Sequence, residues 1–365
     1  MKEKISNHLD QLLSLDTAPS NPDENIKALE IVKQVIGGQI IDNKQESSPL
    51  LVHSPNQPHL LWIGHVDIVS KHKNQKVLSK QDQIFNRGAF DMKGSVASFM
   101  SVLEENPSLK NKVGFILTTD EETGGFNGAK WLFESKKLNH SHIKGVVVGE
   151  PTNLKIGINS KSLLVLGINI SGKSAHASQP WLGISASEAI INIAQIIQHD
   201  IFNNQPKSEK DWQTSFNFGL LTSGSEHTNI IPDHAELRID IRFIASDSPS
   251  KFKSKINQLL KKLQKEEAIT NFSLQTRAQN NSEIADPNNQ TVKKLQKSVE
   301  LILGQSRLIN CFGSTDARHL STISPEIPII RFGPIGNGAH SQEEWVSQKS
   351  LNQQAEILMD FFTNL

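Results

Sequence analysis

The chain has no tyrosine and one cysteine, Cys311, in 365 residues. A lone thiol excludes any internal disulfide, and such sparing use of cysteine fits a reducing compartment. Without tyrosine, proton-transfer chemistry falls to carboxylates, histidine or lysine. Neither charge is in excess: Lys+Arg and Asp+Glu both number 38, for a formal net charge of +0. That balance argues against a nucleic-acid or membrane-surface binder. Long hydrophobic runs are also missing, none approaching the roughly 18 apolar residues of a membrane helix. The N-terminal Met-Lys-Glu-Lys-Ile-Ser-Asn-His turns polar at once, without the apolar block of a secretory signal. Arginine is scarce, only Arg87, Arg238, Arg242, Arg277, Arg307, Arg318 and Arg331. An arginine inside a small-residue loop is therefore a candidate anion clamp. These absences predict a soluble, cytoplasmic, globular protein of two or three domains, with neither nucleic acid nor membrane as partner.

What is present alternates. The first 37 residues read as two helices split by the breaker Ala18-Pro-Ser-Asn-Pro-Asp23. Short aliphatic runs follow at Leu60 to Ile63, Val113 to Thr118 and Val146 to Val148, separated by helical or polar stretches. This is the pattern of an α/β domain around a mixed, mainly parallel, buried sheet. From Leu163 the order becomes strand, helix, strand, strand, helix, strand, ending near Thr276, the ferredoxin-like βαββαβ unit. A helix from Val292, a core strand at Ile327 to Phe332 and a closing helix from Leu351 return to the first pattern. The expected organisation is a discontinuous domain, 1–162 with 277–365, interrupted by an inserted domain, 163–276. The polar stretch Gln279 to Gln290 reads as the return linker.

Five segments place acids or imidazoles at predicted strand ends or just beyond them, where open α/β sheets bind ligands. They are Gly64-His65-Val66-Asp67, Gly88 to Gly94 around Asp91, Thr118-Thr119-Asp120-Glu121-Glu122, Gly149-Glu150-Pro151 and Gly338-Ala339-His340-Ser341. His65 and Asp67 stand at i and i+2, so on an extended segment they point the same way. An aspartate there can hold the second nitrogen of a metal-bound imidazole. Two histidines with several carboxylates suit zinc, with cobalt or manganese as substitutes. Each segment alone also reads as a solvated loop or turn. No His-Glu-x-x-His helix occurs, which excludes a mononuclear zincin of that type.

Together these motifs resemble the dinuclear-zinc amidohydrolase and peptidase family of acetylornithine deacetylase, succinyl-diaminopimelate desuccinylase and the glutamate carboxypeptidases. The likeness runs from Leu13-Ser-Leu-Asp-Thr17 to Glu343-Glu344-Trp345. It implies a zinc-dependent exopeptidase-like catalytic domain, a lid and dimerisation role for the inserted unit, and two zinc ions per subunit. His65 and Glu150 would bind one ion, Glu122 and His340 the other, and Asp91 would bridge them. Glu121 would be the general base and Asp67 would orient His65. Lys173-Ser-Ala-His176 resembles the lid motif whose imidazole stabilises an oxyanion across a homodimer. Asn229 and Arg242 resemble lid residues that hold the substrate's carboxylate. On its own, without the resemblance, His176 reads as a solvated loop residue, and Arg242 as a surface ion-pair partner.

Gly313-Ser314-Thr315-Asp316-Ala317-Arg318 resembles the desuccinylase loop that meets the amino-acid end of the substrate. Ser314 and Arg318 are its candidate binding groups, although Ser314 or Thr315 can equally be a plain helix cap. The Trp-and-Pro-containing loop often found between the residues equivalent to Asp67 and Asp91 is missing, which leaves the substrate open. The expected activity is amide cleavage of an N-acyl amino acid, desuccinylase-like or acetylornithine deacetylase-like. The alternatives are a dipeptidase or glutamate carboxypeptidase on the same scaffold, and a metal-free binding protein.

Overall fold

A run such as Leu60-Leu-Trp-Ile is apolar on both faces of a strand and must be covered on both sides. The chain meets that demand with layers of helix and sheet. The structure, a computed structural model, describes residues 1–43, 48–56, 58–70, 77–135, 137–138, 142–202, 205–208, 210–224 and 227–365. It divides into unit 1, Met1–Ser160 with Glu283–Leu365, and unit 2, Lys161–Ser282.

Unit 1 opens with helices α1 (Lys2–Leu13) and α2 (Pro22–Ile36) and strands β1 (Gln39–Ile41), β2 (Leu50–His53) and β3 (Leu60–His65). A hairpin, β4 (Leu78–Lys80) and β5 (Gln83–Phe85), leads to α3 (Gly94–Glu105), β6 (Val113–Thr118) and α4 (Trp131–Glu134). Strands β7 (Val146–Val148) and β8 (Ile156–Ser160) complete this part. Unit 2 runs β9 (Ser162–Ser171), α5 (Ala186–Ile196), β10 (Ser215–Ser223), β11 (His234–Phe243), α6 (Pro249–Lys265) and β12 (Asn271–Asn280). Unit 1 resumes with α7 (Gln290–Leu303), β13 (Leu308–Cys311), α8 (Ala317–Ile323) and β14 (Ile329–Arg331). It closes with β15 (Gly336–Asn337), β16 (Trp345–Ser347) and α9 (Gln348–Thr363).

The large sheet has the order β1-β2-β6-β3-β7-β14-β8-β13. Its centre, β6-β3-β7-β14, is parallel, as is the β8–β13 pair. Antiparallel pairing enters at β1–β2, β2–β6 and β14–β8. Every residue of β3, β6 and β7 is buried. Helix α3 is buried from Gly94 to Leu103, and its small residues Gly94, Ser95, Ala97 and Ser98 allow close neighbours. Ser98 Oγ donates to the Leu351 carbonyl at 3.1 Å and so ties α3 to α9. Trp62 stacks on Phe99 with ring centroids 4.0 Å apart, joining β3 to the same helix. A small second sheet has the order β15-β16-β5-β4.

Unit 2 is an antiparallel sheet, β10-β11-β9-β12, in the βαββαβ order. Leu164, Leu166, Ile168 and Ile170 of β9 and Leu237, Ile239 and Ile241 of β11 pack with Ile190 and Ile193 of α5 and Ile256 and Leu260 of α6. Each such side chain contributes roughly 1.5–3 kcal/mol on burial, so unit 2 has a core of its own. Helix α5 starts two residues later than its apolar pattern, because the Ser185 side chain accepts from the Glu188 N–H and caps it there. Among the described residues no helix is long and apolar enough to cross a membrane.

The two connecting strands meet. Ser160 N donates to the Glu283 carbonyl at 2.8 Å, and Ala285 N to the Ile158 carbonyl at 2.8 Å. Glu283 N donates to Ser160 Oγ at 2.9 Å. The chain therefore leaves unit 1 and re-enters it at one place, the geometry that makes insertions tolerable. Replacing Lys161–Ser282 by a short glycine linker is expected to leave unit 1 with one cooperative thermal transition by circular dichroism. A broad, non-cooperative melt would show that unit 1 cannot fold without the insertion.

Candidate metal centre

Strand register builds the centre. Ile63 of β3 lies level with Val148 of β7, so two residues further on, His65 and Glu150 emerge side by side. His65 is also level with Thr118 at the end of β6, from which the chain turns into Glu121 and Glu122. The glycines preceding His65 and Glu150 have a packing reason. A Cβ on Gly64 would lie 2.6 Å from the Trp62 ring, and one on Gly149 would lie 2.5 Å from Met92 Cε. Asp91 comes from the turn before α3, and the Asp91–Met92 peptide bond is cis. His340 comes from the loop between β15 and β16, with φ of 63°.

Two donor sets share Asp91. His65 Nε2 lies 3.3 Å from Asp91 Oδ1 and 3.7 Å from Glu150 Oε1. His340 Nε2 lies 3.3 Å from Asp91 Oδ2 and 3.0 Å from Glu122 Oε2. Thus one carboxylate faces an imidazole with each oxygen, and the sets His65–Asp91–Glu150 and Asp91–Glu122–His340 are each compact enough to hold an ion. His65 Nδ1 donates to the Asp67 carbonyl at 3.0 Å, which leaves Nε2 to present a lone pair. Asp67 is fully buried; its carboxylate lies 3.5 Å from Nδ1 through Oδ1. Its Oδ2 accepts from the Glu122 N–H at 3.0 Å, so it ties the two donor segments together.

Charge crowding is severe. Burial, and then the charge of Asp91, pushes Glu150 up to about 8. Glu121 is held well above the usual carboxylate range, chiefly by burial. Burial would also raise Asp91, but hydrogen bonds with His340 and His65 outweigh it and hold its carboxyl low. Hydrogen bonds to Asp91 and Glu122 push His340 up to about 10. Divalent cations would relieve this crowding and use the same lone pairs, so the donor set fits a dinuclear site of zinc type.

Two residues outside the sequence-derived set hold the arrangement. Glu344 is fully buried. Its Oε1 accepts from Phe90 N at 3.0 Å and Asp91 N at 3.1 Å, and its Oε2 from Arg87 at 3.1 Å. Arg87 in turn donates to the His340 carbonyl at 3.1 Å. This strut joins the Asp91 turn to the His340 loop. The sequence carries both residues inside the motifs at Asn86-Arg87-Gly88 and Glu343-Glu344-Trp345, but no local pattern pairs them.

The 313–318 loop stands beside Glu121. Arg318 is buried, 3.5 Å from Glu121 Oε1, and donates to Ser314 Oγ at 3.3 Å. Asp316 is pushed up to about 7 by burial and the nearby charge of Asp120, and Thr118 Oγ1 donates to it at 2.6 Å.

In unit 2, His176 and Asn229 are brought together. Ala177 N donates to the Asn229 carbonyl at 2.8 Å, Ile231 N to the Ala175 carbonyl at 2.9 Å, and both residues line a groove of about 510 Å³. Ser178 N donates to His176 Nδ1 at 3.1 Å, so the imidazole's N–H sits on Nε2. Arg242 does not line that groove. Its fork grips Asp240 at 2.7 and 3.0 Å, so an incoming carboxylate would have to displace Asp240.

An α/β unit with imidazole and carboxylate donors converging beyond its parallel strands, interrupted by a βαββαβ insertion, has the form of a metallohydrolase. The chain belongs to peptidase family M20/M25/M40, whose model matches residues 61–364. A succinyl-diaminopimelate desuccinylase of Pelagibacter ubique (strain HTCC1062) is 28% identical over 327 residues, 84% of this chain and 83% of its own. Among solved structures, the aminopeptidase PepT of Bacillus cereus superposes with a TM-score of 0.79 at 20% identity, over 99% of this chain and 98% of that one. The Bacillus subtilis YXEP protein, described as a dinuclear metal binding peptidase of family M20, gives 0.72 at 14% identity over 100% and 99%. At these identities the two structures speak for the fold.

Replacing Glu344 by glutamine sets an amide against the N–H groups it now accepts. Zinc affinity, measured by chelator competition, is expected to fall about 10- to 100-fold, as for other residues that orient metal ligands. Glu343→Gln, at its exposed neighbour, should leave it unchanged.

Proposed function

We propose that the chain is a di-metal hydrolase that cleaves the amide bond of an N-acyl amino acid, with N-succinyl-diaminopimelate ranked first and N-acetylornithine second. The observation that carries this reading is the pair of donor sets sharing Asp91. His65 and Glu150 would hold one zinc, Glu122 and His340 the other. Ions held there would lower the pKa of a water and stabilise charge developing on the cleaved carbonyl. Glu121, with a carboxyl raised by burial, would take the water's proton and pass it to the leaving amine. His176 offers its Nε2–H to the oxyanion, with Asn229 in the same groove, and a homodimer formed through unit 2 would deliver it. The desuccinylase relative supports the ranking of substrates, as does the Ser-Thr-Asp-Ala-Arg loop, in which Ser314 and Arg318 would meet a carboxylate.

The test is zinc content together with a substrate panel. Purified protein reconstituted with zinc is expected to hold about two equivalents. It should release free succinate from N-succinyl amino acids faster than acetate from N-acetyl ones or amino acids from dipeptides and acyl-glutamates. At most one equivalent in active enzyme would sink the dinuclear reading, and a preference for dipeptides would move the chain to the peptidases.

Arg318 supplies the second check. A guanidinium grips a carboxylate with two parallel bonds that lysine cannot copy. Charged hydrogen bonds contribute roughly 1.5–3 kcal/mol, about 10- to 150-fold in binding. Arg318→Lys should raise KM for the best free acid by that order with zinc content unchanged, while the amidated substrate is handled about equally by both enzymes. If the mutant only melts earlier and keeps its preference for the acid, Arg318 serves Glu121 and the fold instead.

A further inference from the structure

Glu283 lies in the polar stretch that the sequence presents as a linker, yet the residue is only 1% exposed. Its carboxylate takes four donors. Oε1 accepts from Thr315 N at 2.6 Å and from Thr315 Oγ1 at 3.0 Å. Oε2 accepts from Arg331 Nε at 2.9 Å and from a second nitrogen of the same guanidinium at 2.5 Å. Arg331, in β14, also donates to the Gly313 carbonyl at 2.7 Å. Both chain neighbours of Ser314 are therefore pinned to one buried ion pair. From Thr315 the hold passes on, since its carbonyl accepts from Arg318 N at 3.0 Å and its hydroxyl from Ala317 N at 3.1 Å. The backbone of Glu283 is fixed independently by its two bonds to Ser160.

We propose that Glu283 is a positioning residue that, through Arg331 and Thr315, holds the 313–318 loop so that Ser314 and Arg318 stand where a substrate carboxylate is bound. The proposal rests on the substrate reading above for what the loop binds, but not for what holds it. The chemistry is specific to an ionised carboxylate. Four donors converge on it, and an amide of the same shape would turn N–H groups toward N–H groups, leaving buried donors unpaired. The loop would then shift or loosen without any change to a metal-ligating side chain.

The test compares Glu283→Gln with the parent in the full-length zinc enzyme. Hydrogen exchange by mass spectrometry is expected to speed up at 313–318 while helix 22–36 keeps its protection. KM for the free-acid substrate should rise by about 10-fold or more, with kcat within about 2-fold and two zinc equivalents retained. Should that variant fail to fold, Thr315→Val removes one donor and should give a smaller KM rise, with Thr315→Ser restoring the parent value. Unchanged exchange at 313–318, or a loosened loop with unchanged KM, would overturn the proposal. If the parent itself does not distinguish free acid from amide, the carboxylate reading of Arg318 fails. The positioning role is then decided by exchange and by KM for whichever amide the enzyme cleaves.

Discussion

Like charges gathered in a buried space are the constraint on which this structure turns. Asp91, Glu121, Glu122 and Glu150 converge beyond β3, β6 and β7, with Asp67, Asp120 and Asp316 close behind. Such a gathering holds only where rigid elements enforce it, because each carboxylate would be more stable apart or in water. The parallel strands supply the rigidity. Their ends cannot move apart without breaking the ladder, and α3, wedged between the sheet and α9, keeps the Asp91 turn from retreating.

Around that centre the chain repeats one device: a buried carboxylate that accepts backbone N–H groups with one oxygen and an arginine with the other. Glu344 with Arg87 clamps the Asp91 and His340 segments. Glu283 with Arg331 clamps the 313–318 loop. Such pairs add little net stability compared with apolar packing, but they define one geometry, since every donor is lost if the loop moves. Three of the seven arginines, Arg87, Arg318 and Arg331, are nearly buried in unit 1 beside these segments. A surface rich in lysine leaves arginine for places where a planar fork is needed.

Much of this was legible in the sequence, and the limits have a physical cause. β3, β6 and β7 are continuous apolar runs, and the acids at their ends are local in sequence, so the sheet and the acid-bearing segments beyond it could be read directly, while the choice of metal donors within them rested on the family resemblance. β15 and β16 are two- and three-residue strands without periodicity, and only the fold brings them together with β5. Glu344 and Glu283 were missed because their partners are distant: Arg87 pairs with a residue 257 positions away, and Arg331 with one 48 away. A polar stretch reads as solvated until its partners are known. Arg242 is the converse case, a residue marked by resemblance whose fork grips the aspartate two positions earlier.

The sheet order carries a consequence for biogenesis. β14 lies between β7 and β8, yet follows both in the chain only after the whole of unit 2, Lys161–Ser282, has intervened. During synthesis, β7 and β8 emerge well before the strand that separates them and must wait with open backbone edges. Unit 2 is contiguous and can close while unit 1 is still incomplete, inverting the usual N-terminal-first sequence. Unpaired edges of this kind attract other strands. The interval between the appearance of β8 and of β14 is thus the period when the nascent chain most needs protection from its neighbours.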